Sequence, residues 1–330
     1  MPRFEWAPAA FRRLNGLLCV YKPADVSVVP VLRKIQFNLA KELNALPCYK
    51  VESEMRKANP NTDFTAPMVL DTSVPVPAED LMEHRLVLGQ RYLPEDIKLS
   101  HIHSLSRFSS GVLLIGVGRG IRKVDLLSSS KFLRVYHVKG RFGMATSDFT
   151  PSGKIIERTS YRHIHPIKLD KVLASVQSSH LRNMFHYAGV DPHSQAAYEL
   201  AAQGLVRPQD SHTPPMIYRV KCIDFQPPDF TLEIHAINEF CDYFMRMIHD
   251  IGLQLRSTAV CTGIRRLRYG HFDVSHALLR QQWNFEDILD NMKQNAAMLT
   301  PDKLAGEGIM EKIESQESTD DRKRIEDEIL

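Results

Sequence analysis

The sequence predicts an α+β fold in which a mixed, mostly antiparallel sheet is flanked by helices. Three observations carry this. Strand-like and helix-like runs are interleaved without the regular strand–helix–strand rhythm of a parallel sheet. Two β-rich runs, residues 217–225 and 230–236, are joined only by Gln226-Pro-Pro-Asp229, the signature of a hairpin. Helical runs closed by proline or glycine lie between the strands, near Pro47, Gly204 and Gly252.

Taken in order, Leu17-Leu-Cys-Val-Tyr-Lys22 reads as a short buried strand that Pro23 stops. Leu32, Ile35, Leu39, Leu43 and Leu46 then share one helical face, and Pro47 ends the pattern. Residues 48–96 carry prolines at 60, 67, 75, 77 and 94 with little periodicity and read as an irregular insertion, with one strand near 85–88. Val112-Leu-Leu-Ile-Gly-Val-Gly118 is a strand with a glycine exit, followed by a helix through Leu127. Residues 134–140 alternate as a strand and residues 153–157 open another. Helices are expected over about 169–177 and 194–203, the second ended by Gly204. After the hairpin come a helix over 239–251 closed by Gly252, a strand over 258–268 and a helix over 274–292. One domain, 16–295, thus precedes a charged, aperiodic tail, 296–330, that reads as disordered.

The chain has 330 residues, of which 43% are hydrophobic and 25% charged, an ordinary globular composition. It holds no apolar run near the roughly 20 residues that cross a bilayer, which argues against a membrane protein. Its five cysteines are scattered without a C-x-x-C pair, which argues for reduced thiols and against a zinc site or disulfide framework. No metal or cofactor is expected. Residues 301–330 hold ten acids against five bases; removing that excess of five negative charges from the net +3 leaves residues 1–300 at +8. A basic body suits a polyanion. The first 15 residues mix arginines with large apolar side chains, as a mitochondrial targeting segment does, although Glu5 and two prolines interrupt an amphipathic helix.

Five stretches in order resemble the TruB family of RNA pseudouridine synthases, most nearly its animal mitochondrial members. Gly16-Leu-Leu-Cys-Val-Tyr-Lys-Pro23 is similar to the family's opening strand and Lys-Pro motif. Leu105-Ser-Arg-Phe-Ser-Ser-Gly-Val-Leu113 is similar to Leu-Asp-x-x-Ala-Ser/Thr-Gly-x-Leu, and Tyr136 to Asp148 is similar to the strand that bears the family's active-site tyrosine. Tyr187 and the run Tyr198-Glu-Leu-Ala-Ala-Gln-Gly204 match a Tyr…Tyr-Glu-x-Ala-x-x-Gly stretch, with Tyr198 expected in the core. The run Ile248-His-Asp-Ile-Gly252 followed by Val260-Cys-Thr-Gly-Ile-Arg-Arg266 resembles the closing helix and Leu-Arg-Arg strand. The resemblance covers about residues 15–292 and implies the pseudouridine-synthase fold. The C-terminal PUA domain of the bacterial members is not expected here.

The resemblance also implies a chemistry. A uridine is flipped out of folded RNA, an Asp acts on it, a Tyr stacks on the base and an Arg lies beside the Asp. In this chain the Asp position is Ser106, and residues 101–111 contain no acid. The Arg position, seven before Gly252, is Met245; Arg246 is turned from it by about 100° on a helix. Tyr136 is retained. A serine is neutral at pH 7 and needs an adjacent base, for which His101 and His103 are the nearest groups, against the plainer reading of solvated loop histidines. Asp148 and Asp250 are the nearest carboxylates that could serve the pocket.

Expected RNA contacts are Lys22, His101, His103, Arg256, Arg265, Arg266 and Arg268. Lys131, Arg134, Lys139 and Arg141 form a second basic group that could equally guard a sheet edge. The partner expected is mitochondrial mRNA, tRNA or rRNA. The leading expectation is a catalytically impaired family member that binds RNA in folding or ribosome assembly. The alternatives are an isomerase with rearranged residues, or a protein-interaction scaffold built on the insertion.

Overall fold

The structure is a computed structural model that describes residues 6–47, 89–130, 132–187, 189–191, 193–202 and 214–299. Most of the insertion expected over 48–96, including its strand near 85–88, lies outside these residues, as do Lys131, Gly204, the side chain of Tyr187 and the tail beyond 299.

The α+β architecture expected from the sequence is what forms. Strands β1 (Gly16–Lys22), β3 (Ser109–Val117), β9 (Ala259–Tyr269), β4 (Arg134–Phe142), β8 (Asp229–Ile237) and β7 (Met216–Gln226) lie side by side in that order. Strand β2 (Leu99–His101) adds to β3 and β10 (Phe272–Asp273) to β9. Every pairing is antiparallel except β3 on β9. A separate two-stranded ribbon joins β5 (Met144–Thr146) to β6 (Ile155–Arg158).

Helix α1 (Ala7–Arg12) and helix α2 (Val28–Ala45) cover one end of the sheet. Val31, Ile35, Leu39 and Leu43 recur at the helical period and are buried against Leu18, Val20, Leu113 and Ile115. α1 is part of that core: Ala7 and Ala10 are buried, and the Ala7 N–H donates to the Pro47 carbonyl at 3.0 Å. Helix α3 (Ile121–Ser129) packs on the opposite face of β1 and β3, where Leu17, Cys19, Val112 and Leu114 point. Strand β1 is therefore apolar on both faces, which explains its unbroken hydrophobic run.

Helix α4 (Pro166–Tyr187) and the short α5 (Gln195–Ala202) precede β7, and α6 (Cys241–Gln254) follows β8. Together α4 and α6 cover β4, β8 and β9 with Leu169, Leu173, Phe244, Ile248 and Ile251. Glycine 252 does not end α6, as the sequence suggested. The helix runs two residues further, and the left-handed turn falls on Arg256 at φ 57°. The glycine is required for another reason: a Cβ there would sit 2.6 Å from the Ala259 amide nitrogen, where α6 crosses β9.

The expected 274–292 helix is a second correction. Residues 274–282 form two 3-10 turns, and α7 (Phe285–Met298) begins only where the Asn284 side chain accepts the Asp287 N–H at 2.8 Å. The intervening chain closes the outer edge of β1: the Leu278 carbonyl accepts from the Tyr21 N–H at 2.9 Å, and the Leu278 N–H donates to Cys19 at 3.0 Å. Buried Asn291 accepts the Cys19 N–H, and buried Asn295 donates to the Leu17 carbonyl. The edge donors of β1 are thus satisfied. Tyr198, expected in the core, is 71% exposed on α5.

Candidate functional site

The loop between β2 and β3 carries Ser106 and is held from below. Lys22, at the end of β1, is fully buried, and its ammonium donates to the carbonyls of Pro23 (3.0 Å), Arg107 (3.4 Å) and Ser109 (2.5 Å). Burial lowers the Lys22 pKa to about 8. Lys22 thus clamps the loop; it is not on the surface where the sequence suggested it would touch RNA. Ser106 is half-buried, and its Oγ shares a 2.8 Å hydrogen bond with Ser109 Oγ, which in turn donates to Cys241 Sγ at 3.0 Å.

His103 does not meet Ser106 in this network. Its ring Nδ1 pairs with the Tyr269 hydroxyl at 3.0 Å, and its backbone sits at φ 41°. Burial, and then the charges of Arg134 and Arg266, push its pKa down to about 3. A neutral imidazole so engaged supplies no base to Ser106. His101, in β2, is half-buried and also shifted downward, by burial and by Arg266.

Tyr136 points from β4 toward α6 and is 3% exposed, its ring 4.9 Å from that of Phe244. A carboxylate does stand beside it, and it is neither Asp148 nor Asp250. Glu239, in the link from β8 to α6, accepts the Tyr136 hydroxyl at 2.5 Å and pairs with Arg134 at 2.7 Å. Both members of that pair have side chains only 1% exposed. Arg134 and Tyr136 alternate onto one face of β4, so a single acid meets both. Burial is the largest single influence on Arg134 and works against its charged form, but Glu239 together with Tyr136 and Tyr269 outweighs it and the pKa is raised. Burial, then Glu239, drives the Tyr136 pKa well above its usual value, so the phenol stays neutral.

Asp148 is taken up by its own turn, accepting from the Thr150 amide at 3.0 Å and from the Thr150 hydroxyl at 2.8 Å, bonds that hold its pKa low. Asp250 lies in a cleft of about 330 Å³ between α4 and α6, together with Arg246, Tyr243 and His180. Met245 is buried among apolar side chains, and Arg246 faces that outer cleft. The 100° argument from the sequence therefore describes the helix correctly.

Arg266 is the other correction. It is buried, donating to the carbonyls of Val112 at 2.7 Å and His103 at 3.1 Å, and cannot form the surface contact expected of it. It can reach β3 because Gly111 opposite it adopts φ 117°; a Cβ there would sit 2.1 Å from the Arg266 carbonyl oxygen. Arg256, Arg265 and Arg268 are exposed, with Arg265 lying 5.4 Å over the Tyr21 ring. In the second basic group Arg134 is buried, Lys139 is exposed, and Arg141 is held bidentately by Asp229. Arg134 Nε and Nη2, Glu239 Oε2 and Arg266 Nη2 are buried without a partner among the described residues, a cost concentrated at this one place.

The sequence singled out Ser106, Tyr136 and Met245 and did not single out Glu239. The signal available was Arg134, a cation two residues from a buried tyrosine on an alternating strand, which needs an acid from elsewhere in the chain. Among the described residues no group of three or more His, Cys, Asp or Glu side chains is placed to hold a metal ion.

A family model described as TruB family pseudouridylate synthase (N terminal domain) matches residues 90–240. The chain is 39% identical over 310 residues to the pseudouridylate synthase TRUB2, mitochondrial, of Xenopus tropicalis, covering 92% of this chain and 94% of that one. To its human counterpart it is 35% identical over 286 residues, covering 86% and 85%. The tRNA pseudouridine synthase B of Syntrophotalea carbinolica is 27% identical over 183 residues, 55% of this chain and 58% of its own. With identity above one third along nearly the full length of such relatives, the chain belongs to the TruB family of pseudouridylate synthases.

Proposed function

We propose that this chain is a mitochondrial RNA-binding member of its family whose isomerase step is impaired. The observation that carries the proposal is the group at position 106. A serine hydroxyl bonded to a second hydroxyl stands where the family resemblance places an ionised aspartate, and no described histidine or carboxylate activates it. Two further observations support it. Met245 puts an apolar side chain where the resemblance places the arginine, and Tyr136 is sealed by Glu239 and Phe244 rather than open to a flipped base. The partner is RNA, as the family's chemistry requires. Mitochondrial mRNA, tRNA or rRNA in the matrix, and a role in RNA folding or ribosome assembly, are the finer reading, motivated by relatives named as mitochondrial. Exposed Arg256, Arg265 and Arg268 supply phosphate contacts in this reading, while Lys22 and Arg266 hold the loops behind them.

Pseudouridine formation on mitochondrial RNA transcripts, assayed with purified protein, tests it. The wild type is expected to bind RNA and leave uridine unchanged, whereas Ser106→Asp with Met245→Arg is expected to gain measurable isomerisation. Stoichiometric pseudouridine made by the wild type would refute the impairment; failure to bind any of these RNAs at low salt would refute the RNA role.

A further inference from the structure

Far along the sheet from Tyr136, a trough crosses the surface where α1, the 3-10 turn at Pro94–Asp96 and the exit of β3 meet. It consists of two clefts of about 450 and 470 Å³ that share Phe11, Arg12 and Asp96. Among the described residues four exposed cations line it, Arg12, Arg91, Lys98 and Arg119, against one acid, Asp96. That one acid is partly spent, since its Oδ2 accepts the Leu93 N–H at 2.8 Å.

The floor has one aromatic that reaches both clefts, half-buried Phe11, held from beneath by buried Tyr92. Phe11 stacks on Tyr92 with ring centroids 4.9 Å apart and planes 27° from parallel, and Arg91 lies 5.8 Å over the Tyr92 ring. The Tyr92 backbone is pinned by buried Asn44, which accepts its N–H at 3.1 Å and donates to its carbonyl at 2.7 Å. Asn15 accepts the Arg119 N–H at 2.9 Å, fixing the far rim. None of these groups touches the Tyr136 pocket, and nothing in its chemistry uses them.

A concave, net-cationic channel with a fixed, half-buried phenylalanine on its floor is what a single strand of nucleic acid requires: phosphates follow the cations, and a base can lie against Phe11. We propose that this trough binds a single-stranded stretch of RNA, a second contact surface apart from the Tyr136 pocket. The inference rests on the RNA-binding reading above. An acidic protein segment would match the charge but would leave the aromatic floor without a base to stack, so the single strand fits both features.

The test compares the full chain with Arg12→Gln/Lys98→Gln/Arg119→Gln, binding a fluorescent 15-residue oligouridine and a blunt 20-base-pair RNA duplex over a salt series. These three side chains are exposed, and matched urea midpoints would establish that the variant is folded. Losing three phosphate contacts should lower the magnitude of the single-strand salt slope by about two and weaken oligouridine binding about a hundredfold at 0.1 M salt. Duplex binding should change less than threefold, because Arg256, Arg265 and Arg268 remain. An oligouridine affinity and slope equal to wild type would overturn the trough alone, as would a wild type that binds duplex but not oligouridine. Absence of binding to either RNA would overturn the RNA-binding reading and the trough with it.

Discussion

Arg134 and Glu239 form an ion pair with side chains 1% exposed, and the Tyr136 hydroxyl shares the same carboxylate oxygen. Replacing Glu239 by Gln keeps an acceptor for Tyr136 but leaves the Arg134 charge buried without a counter-ion. Breaking a buried pair from one side costs about 3–5 kcal/mol, a large part of the 5–15 kcal/mol that holds a typical domain folded. Arg134→Met should cost a similar amount by stranding Glu239. The double replacement removes both charges and should cost far less than the sum, since buried pairs exchanged for neutral groups of similar volume are often nearly neutral. Urea denaturation of the four proteins at pH 7 gives the cycle, with a coupling of about 2–4 kcal/mol expected. Single costs that add to within 0.5 kcal/mol would show that the pair is not coupled, and would sink the account of Glu239 as the counter-ion of the pocket.

Other expectations follow from the same contacts. Burial with Arg134 and Arg266 holds His103 at about 3, while an unfolded histidine titrates near 6.5, so the unfolded chain binds the proton first as pH falls. His103→Asn, which tolerates φ 41°, should remove a loss of stability between pH 6.5 and 3; parallel acid-denaturation curves for the two proteins would contradict this. Deleting residues 1–15 strips Ala7, Ala10, Phe11 and Leu14 from the α1–α2 core and should cost about 3 kcal/mol, seen as a lower urea midpoint. An unchanged midpoint would mean that the segment is dispensable to the fold. Among the described residues the buried cations Lys22, Arg134 and Arg266 outnumber the one buried acid, Glu239, so Ser106→Asp should be more stable than Ser106→Asn at pH 7, with the difference lost as pH falls through the lowered pKa of the new acid. Equal stability at pH 7 would mean that the excess positive charge is not felt at position 106.

The elements that the sequence revealed are those whose burial follows a simple period. The α2 face and the 217–236 hairpin are read from repeats that the packing then uses. Residues 274–283 misled because Val274, Ala277 and Leu278 fall near helical spacing, yet Leu278 is needed as an edge partner for β1. That demand comes from a strand more than 250 positions away and leaves no mark on local periodicity. Gly252 has the same character: a glycine near a helix end suggests a cap, while the cause lies in the crossing of α6 over β9.

The site was legible where register decides and illegible where burial decides. Ser106 and Met245 follow from motif spacing alone, because spacing fixes a position on a strand or helix. The sign and number of charges carry no such information about which side of the sheet they occupy. Lys22 and Arg266 read as RNA contacts, and Arg134 as part of a group that could equally guard a sheet edge, but all three are interior cations that satisfy main-chain carbonyls or a single glutamate. Withdrawing these three from the surface has a consequence for binding. In the proposed reading the phosphate contacts then fall to exposed cations such as Arg256, Arg265, Arg268 and those of the trough. The buried cations have structural work of their own: Lys22 and Arg266 tie loops to main-chain carbonyls, and Arg134 ties β4 to the link before α6 through Glu239.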